Sequence, residues 1–400
     1  MTDTSIPTSR QITLRTVMRT VMDRGPISRA ELARLTGLSK QTMSEIFREL
    51  EEDGWVVVTG RTQGNVGRTA VTYEVAARRA FVFGADVGGT KIRAALADMG
   101  GELVAETVEP TDERGGEHVI AQIARLSKFL AMEAGLSTER ILVGTVGIPG
   151  AYNPRSRQLA MVPNIPGLEG SAIETELASL AGFEVHVGND VNMAAKGEQW
   201  LGEGKGLDSF VFIALGTGIG MGIINERRII RGARGAAGEI STLPIGVSPY
   251  DSRTFNAGAL ESVVGSAAIR ARYEGYGGAA GLSVREIIDR IKDGDKRASA
   301  TLDEVARIIA EAILAISAVL DPERVIFGGS IGARSELLAR VRKILPLCMP
   351  NPPECSISKL GSRAGLYGTI ANSLDHLREN LFELHGLRKE AMQASAGAVK

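Results

Sequence analysis

Apolar residues between positions 10 and 53 recur at the spacing of helices, with two short polar breaks. The pattern predicts one helix near 10–24, a second after Ser28 and a third near 40–53. Ser28 and Ser39 stand where N-cap residues are favoured. Two strand-like runs, GWVVVTG and AVTYEV, follow on either side of RTQGNVGR, which is rich in turn residues. Residues 1–78 are therefore predicted to form a winged helix-turn-helix domain.

The pattern changes at about residue 80, where short apolar strands begin to alternate with glycine-rich turns and helical stretches. The segments FVFGADVGGTKIRAALAD and ELVAETVE predict three strands in hairpin order, and SFVFIALGTGIGMGIIN predicts a second strand–turn–strand unit. Helical patterns dominate 259–320, before the strand RVIFGGSIG. We therefore expect an α/β domain over 79–386, followed by a disordered tail at 387–400.

Composition and charge narrow the class of protein. The chain is 44% hydrophobic and 23% charged with a net charge of −1, so no global field attracts nucleic acid or membrane. The two cysteines, Cys348 and Cys355, form no disulfide framework and fit a reducing cytoplasm. No signal-peptide pattern or membrane-spanning apolar run occurs, so the sequence predicts a cytoplasmic protein without a membrane partner.

Three glycine-rich turns follow strands and predict binding of nucleotide phosphates, because backbone N–H groups can point at a phosphate where no Cβ intervenes. Any one of them alone is also explained by a tight turn, but three at strand ends in one domain favour the phosphate interpretation. The candidate residues are Asp86, Gly88, Gly89, Thr90 and Lys91 in the first turn, Gly216, Thr217, Gly218 and Gly220 in the second, and Gly328 and Gly329 in the third.

A carboxylate in the segment GND is the candidate for general-base chemistry. Transfer of a group to a weakly acidic sugar hydroxyl requires a positioned base, and Asp190 ends a predicted strand. The alternative is that Asp190 caps the following helix. Candidate partners for sugar hydroxyls are Asn164, Asn189, Glu239 and Glu261, each of which also suits a turn or a cap.

The predicted DNA-reading surface lies at the start of the third helix and on the wing. Residues 1–78 hold 11 Lys/Arg and 9 Asp/Glu, so the arrangement of charge matters more than its sum of +2. In a helix-turn-helix the first side chains of the second helix of the motif meet base edges and phosphates. The candidates are Ser39, Lys40, Gln41, Thr42, Ser44, Arg48, Arg61 and Arg68. An ordinary protein-interaction module is the alternative.

With these motifs together, the chain from 10 to about 380 resembles the ROK family of repressors, open reading frames and sugar kinases. DVGGTK, GTGIGMG and FGGSIG resemble the family's phosphate and nucleotide motifs, and GND resembles its catalytic aspartate motif. The resemblance implies a winged helix-turn-helix followed by a two-lobed actin/hexokinase-like ATPase fold. It also implies a base at Asp190, sugar contacts at Asn164, Asn189, Asp190, Glu239 and Glu261, and ATP with magnesium if kinase activity is retained.

Two departures from the family pattern bear on the sugar site. The family's Gly-Glu-Ile-Gly-His is GEIST here, so Thr242 stands where a sugar-contacting histidine is usual. The segment YDSRTFNAGALES lacks the cysteines that many members have, and the four histidines lie elsewhere in the sequence. Because a structural zinc site needs about four nitrogen or sulfur ligands, we expect no metal site and no zinc.

The sequence therefore predicts a sugar-responsive transcriptional repressor. Its expected partners are double-stranded operator DNA, a sugar or sugar phosphate, and further copies of itself in a homodimer or homotetramer. DNA binding should need no cofactor. One alternative is an active ATP-dependent kinase of hexoses or N-acetylhexosamines that also binds DNA. Another is a metabolite-binding protein whose N-terminal module contacts a second protein.

Overall fold

The computed structural model describes residues 9–63, 69–153, 155–160, 162, 165–255 and 257–397. The N-terminal part, here called the head, contains three helices and a small sheet in the strand order β1-β3-β2. This order of elements confirms the predicted winged helix-turn-helix. The elements are α1 (Ser9–Arg24), β1 (Ile27–Ser28), α2 (Arg29–Thr36), α3 (Lys40–Glu52), β2 (Val56–Gln63) and β3 (Thr69–Val75).

Local sequence signals explain where the helices of the head begin. The hydroxyl oxygen of Ser28 accepts the N–H of Glu31 (3.2 Å), and that of Ser39 accepts the N–H of Thr42 (3.1 Å). The apolar positions of α3, spaced by three or four residues, are buried against the rest of the head. The short strand β1 was not predicted, because its two residues form a strand only by pairing with β3.

The second domain has two lobes, each built on a five-stranded sheet. In the first lobe the strand order is β10-β7-β4-β5-β6, with β10, β7 and β4 parallel and the β4-β5-β6 hairpins antiparallel. Its elements are β4 (Phe81–Val87), β5 (Lys91–Asp98), β6 (Leu103–Pro110), α4 (Gly116–Glu133), β7 (Ile141–Ile148), β8 (Ala151–Asn153), β9 (Gln158–Ala160), α5 (Ile173–Ala181), β10 (Glu184–Asn189) and α6 (Asp190–Leu201).

The second lobe repeats the strand–turn–strand arrangement in a sheet of order β13-β12-β11-β14-β15. Long apolar faces of its helices cover this sheet and form the largest part of its core. The elements are β11 (Phe210–Leu215), β12 (Ile219–Asn225), β13 (Arg228–Ile229), α7 (Glu261–Val264), α8 (Ser266–Gly275), α9 (Val284–Asp289), α10 (Lys296–Leu320), β14 (Arg324–Gly328), α11 (Gly329–Gly332), α12 (Ser335–Cys348) and β15 (Glu354–Ile357).

The last helix, α13 (Ala364–Gly397), returns from the second lobe and packs against α6, β7 and β4 of the first lobe and against α1 of the head. It departs from helical geometry at Asn380. Its backbone remains helical to Gly397, whereas the sequence predicts a disordered tail from 387. The segment 387–394 is rich in strong helix formers, which explains the extended helix.

One apolar core joins the head to the first lobe. Val17, Phe47 and Trp55 of the head share a buried cluster with Val82 of β4 and Leu377 of α13. The head and the first lobe thus share one core across the predicted boundary at 78/79. None of the described helices is long and apolar enough to cross a lipid bilayer.

Candidate functional site

Two carboxylates from separate motifs face one cavity between the lobes. Asp86 is the penultimate residue of β4, and Asp190 is the first residue of α6. Both line a cavity of about 150 Å³ together with Phe212 of the second lobe and Gly329, which follows β14. The fold therefore brings the first phosphate motif, the GND motif and the third glycine turn to a single cleft.

Removal from water changes the acidity of these carboxylates. It is the main reason why the pKa of Asp86 rises to about 7 and that of Asp190 to about 6. The charge of Asp190 raises the pKa of Asp86 further, whereas Arg93 and Lys91 lower it. The charge of the neighbouring Glu239 also raises the pKa of Asp190. A carboxyl group that titrates near neutrality is suited to accept a proton from a hydroxyl.

Asn189, rather than Asp190, caps α6. Its side-chain oxygen accepts the N–H of Asn192 (2.9 Å), and its amide donates to the carbonyl of Gly150 (3.0 Å). Asp190 Oδ1 accepts the N–H of Val191 (2.8 Å). Helix capping, the alternative considered for Asp190, is thus performed by Asn189, and Asp190 lines the cleft.

The second glycine turn is built around a carboxylate. Glu261 accepts the N–H of Ile219 (2.9 Å), and a Cβ at Gly218 would overlap the same carboxylate. The approach at Gly220 is less tight, since a Cβ there would lie 3.1 Å from a methyl carbon of Val191. Glu261 therefore shapes the turn between β11 and β12, and burial raises its pKa. This structural contact is present whether or not Glu261 also meets a sugar.

The third glycine turn requires glycine at one position. Gly329 has φ +79°, and a Cβ there would overlap the carbonyl oxygen of Leu215. A Cβ at the preceding Gly328 would overlap the ring of Phe212. Glycine at these two positions therefore lets the backbone of β14 and α11 lie close against the strand β11.

The tip of the first turn is open to solvent. Gly88 donates its N–H to the carbonyl of Lys91 (2.9 Å), as in a hairpin, and Thr111 Oγ1 donates to the carbonyl of Gly88 (2.6 Å). Gly89, Thr90 and Lys91 are exposed. The tight-turn interpretation and the phosphate interpretation are both compatible with this geometry, because the hairpin leaves the N–H groups at its tip accessible.

Of the candidate sugar-contacting residues, three carboxylates lie close together, whereas Thr242 is exposed. Burial, followed by the charge of Glu261, raises the pKa of Glu239, which brings these two groups and Asp190 into one electrostatic cluster. Thr242 is exposed, and its hydroxyl donates to the carbonyl of Glu239 (2.9 Å). Asn164 lies outside the described residues, so its predicted sugar contact stays a prediction.

A second cavity, of about 280 Å³, adjoins the second and third turns and contains residues that the sequence did not single out. Gly216 and Thr217 form one side, and Arg270 of α8 and Arg285 of α9 contribute positive charge. Its two arginines, together with apolar residues such as Val284 and Ile288, suit an anionic ligand with an apolar part, such as a nucleotide. No local motif marks these arginines, because they reach the cavity only through the packing of α8 and α9.

The head presents a polar face on α3. Lys40, Gln41, Ser44 and Arg48 are exposed, while Met43, Ile46, Phe47 and Leu50 on the opposite face are buried. Within the helix Ser39 and Thr42 bond to each other through their hydroxyls (2.8 Å), and Ser44 donates to the carbonyl of Lys40 (2.9 Å). Arg68 and the side chain of Arg61 lie outside the described residues.

The acidic end of α3 is neutralised within the head. Arg10 pairs with Glu49 (2.5 Å) and Arg29 pairs with Glu51 (2.6 Å). The guanidinium of Arg29 also lies over the rings of Phe47 and Tyr73. Charge is thus segregated along α3: Glu49 and Glu51 in the C-terminal half are paired with arginines, and Lys40 at the N-terminus is exposed to an anionic partner.

Hydrogen bonds order the loop where the family pattern has cysteines. The buried Thr254 donates its hydroxyl to the carbonyl of Asp251 (2.8 Å), and its own carbonyl accepts the N–H of Gly258 (2.7 Å). Tyr250 and Phe255 on this loop are 92% and 76% exposed. Within the described ranges no group of three or more histidine, cysteine or acidic residues is arranged to hold a metal ion.

Comparison with known proteins gives relatives of two kinds. The chain is 26% identical to the xylose repressor of Caldicellulosiruptor bescii over 90% of this chain and 95% of that protein. It is 30% identical to a glucokinase of Halalkalibacterium halodurans over 71% of this chain and 92% of that protein. The crystal structure of a ROK family transcriptional regulator, a homolog of the E. coli MLC protein, has a TM-score of 0.77, with 23% identity over 94% of this chain and 99% of that chain.

Family models match both parts of the chain. A model of the MarR family matches residues 16–68, which cover most of the head. A model of the ROK family matches residues 82–374, which cover both lobes and the first turns of α13. Together with the winged helix and the two five-stranded sheets, these matches show that the chain belongs to the ROK family and carries a MarR-type winged-helix DNA-binding domain at its N-terminus.

Proposed function

We propose that this protein is a transcriptional repressor that binds operator DNA through the head and releases it when a sugar or sugar phosphate binds between the lobes. The observation that carries the proposal is that one chain combines an exposed polar face at the start of α3 with a cleft of hydroxyl-accepting carboxylates. The similarity to a xylose repressor extends over 95% of that protein and 90% of this chain, which supports the same function here.

On the DNA side, Lys40 and Gln41 are the principal readers. The amide of Gln41 suits two hydrogen bonds to adenine, and Lys40 suits a phosphate or guanine. Ser39, Thr42, Ser44 and Arg48 support them, and Arg61 and Arg68 of the wing add phosphate or minor-groove contacts. Because operators of such proteins have two-fold symmetry, we propose a homodimer or homotetramer acting in the cytoplasm.

The test begins by selecting tightly bound duplexes from a random DNA pool with the full-length protein. Lys40→Ala and Gln41→Ala should each weaken binding of the selected duplex about tenfold, since a good base contact contributes roughly 1–3 kcal/mol. Lys343→Ala, an exposed lysine on α12, is the matched control. Unchanged affinity in both head variants, or affinity independent of salt, would favour the protein-interaction alternative.

A sugar kinase that also binds DNA is the second candidate. Asn189 rather than Asp190 caps α6, Asp190 lines the cleft together with Asp86, and a glucokinase is 30% identical over 71% of this chain. In this case ATP and magnesium would bind near the three glycine turns, with Asp86, Gly88, Gly89, Thr90 and Lys91 on one side and Gly216, Thr217, Gly218, Gly220, Gly328 and Gly329 on the other.

The kinase candidate makes a distinct prediction. The hydroxyl of Thr242 donates to the carbonyl of Glu239 in the same turn. The sugar would therefore lack the contact that a histidine supplies in the family pattern. We expect turnover with ATP and simple hexoses to be absent or far below the roughly 10 per second typical of enzymes. Turnover near that rate that is lost in Asp190→Asn would establish the kinase. Turnover that persists in Asp190→Asn would show that another group is the base.

A further inference from the structure

A guanidinium without a carboxylate partner lies beside the sugar cleft. Arg231 follows β13 and is exposed to solvent over part of its side chain. No carboxylate in the described part of the chain forms an ion pair with it, and partial removal of the guanidinium from water lowers its pKa. By contrast, Arg10 and Arg29 of the head have carboxylate partners within 2.6 Å. The guanidinium of Arg231 is therefore accessible to an anionic group of a ligand.

Arg231 lines a small cavity next to the GND motif. The cavity has a volume of about 10 Å³, and its walls include Gly188, Asn189, Asn192 and Tyr152. This volume accommodates one water molecule or one ligand hydroxyl. A ligand that reaches it would therefore insert a single hydroxyl and leave the rest of its ring at the mouth, where Arg231 is exposed.

Asn192 supplies an independent sign of a ligand at the same cavity. It is only 4% exposed, and its side-chain oxygen has no hydrogen-bond partner among the described residues. Buried acceptors are nearly always satisfied, because an unpaired one loses its hydrogen bonds to water without replacement. A hydroxyl donor in the cavity would complete this hydrogen bond.

We infer that the effector is an anionic sugar, a sugar phosphate or a sugar acid, whose charged group binds Arg231 while one of its hydroxyls donates to Asn192. This inference rests on the proposed function and specifies its ligand class. The planar guanidinium matches the oxygens of phosphate and carboxylate. The carboxylates Asp190 and Glu239 accept hydroxyls of the sugar and disfavour an anion on their side, so the charged group is oriented toward Arg231.

The test compares matched ligands by titration calorimetry on the full chain at constant ionic strength. The set is D-glucose, D-glucose 6-phosphate and D-gluconate, together with D-xylose, D-xylose 5-phosphate and D-xylonate. At least one anionic member should bind about tenfold more tightly than its neutral counterpart, the size expected for a charge-assisted contact. Comparison of the sugar phosphates with the sugar acids shows whether the site binds a phosphate or a carboxylate group.

The variants assign the effect to one side chain. Arg231→Gln should remove the preference for the anion, Arg231→Lys should retain part of it, and Arg234→Gln, in the same exposed segment, should leave it intact. Equal or tighter binding of the neutral sugars, or an anion preference that survives Arg231→Gln, would overturn the inference while leaving a sugar-responsive repressor. Binding of no member of either series would overturn both. Thermal unfolding of each variant checks that the fold is retained.

Discussion

The carboxylates of the cleft illustrate how a site is built at a cost in stability. The pKa of Asp190 is about 6 in the folded chain, above the 3.8 of the unfolded residue, because its carboxyl is shielded from water. The folded state therefore binds the proton more tightly than the unfolded state does. The contribution of this group to the free energy of unfolding is therefore greatest below about pH 4. That contribution is lost as the pH rises through 6.

Asp190→Asn should accordingly stabilise the fold at pH 8, by an amount on the order of 2 kcal/mol. The amide keeps the acceptor for the Val191 N–H and removes the buried charge. The gain should shrink as the pH is lowered from 8 to 5, as measured by thermal unfolding at each pH. Asp293→Asn, which changes an exposed acid in the second lobe, is the matched control. A loss of stability in Asp190→Asn at pH 8 would contradict this account.

At the scale of elements, the sequence predicts those helices and strands that neighbouring residues in the chain determine. The helices α2 and α3 could be predicted because Ser28 and Ser39 cap them, and the buried face of α3 follows from its apolar spacing. The hairpin of β4 and β5 could be predicted from its glycine turn. The short strand β1 and the arginines Arg270 and Arg285 could not, because their positions depend on contacts between distant parts of the chain.

Helix α13 is the element that connects the cleft with the head. Its first turns reach the cleft, where a Cβ at Gly365 would lie 2.6 Å from the carboxyl carbon of Asp86. Its later part lies against the head, with the ring of Phe382 6.0 Å from that of Trp55 in an edge-to-face arrangement. We therefore expect a change in lobe closure that moves α13 to be transmitted to the DNA-binding head.

Phe382→Ala should weaken this transmission. Loss of the aromatic contact leaves both sites intact but reduces the factor by which bound sugar lowers operator affinity, from about tenfold or more toward one. Fluorescence anisotropy with labelled operator, with and without ligand, measures that factor. Phe129→Ala removes a partly buried ring from α4 in the first lobe and controls for a general loss of packing. An undiminished factor in Phe382→Ala would mean that coupling does not run through this contact.

The whole molecule is nearly neutral, so recognition of DNA depends on where its charges lie. The formal net charge is −1, yet the acidic end of α3 is paired with Arg10 and Arg29, and Lys40 at the other end is exposed. The shared core of head and first lobe prevents the head from behaving as an independent tethered domain. A single chain of this construction can convert ligand binding into a change of DNA affinity.

The most direct test of this central claim is the affinity of the full-length protein for its selected operator, measured with and without a sugar that calorimetry has shown to bind. We predict salt-dependent operator binding that the bound sugar weakens by about tenfold or more. We expect Glu239→Gln to weaken sugar binding and thereby to reduce this change. Operator affinity that is identical with the cleft empty and with the cleft saturated would contradict the proposal that this protein is a sugar-responsive repressor.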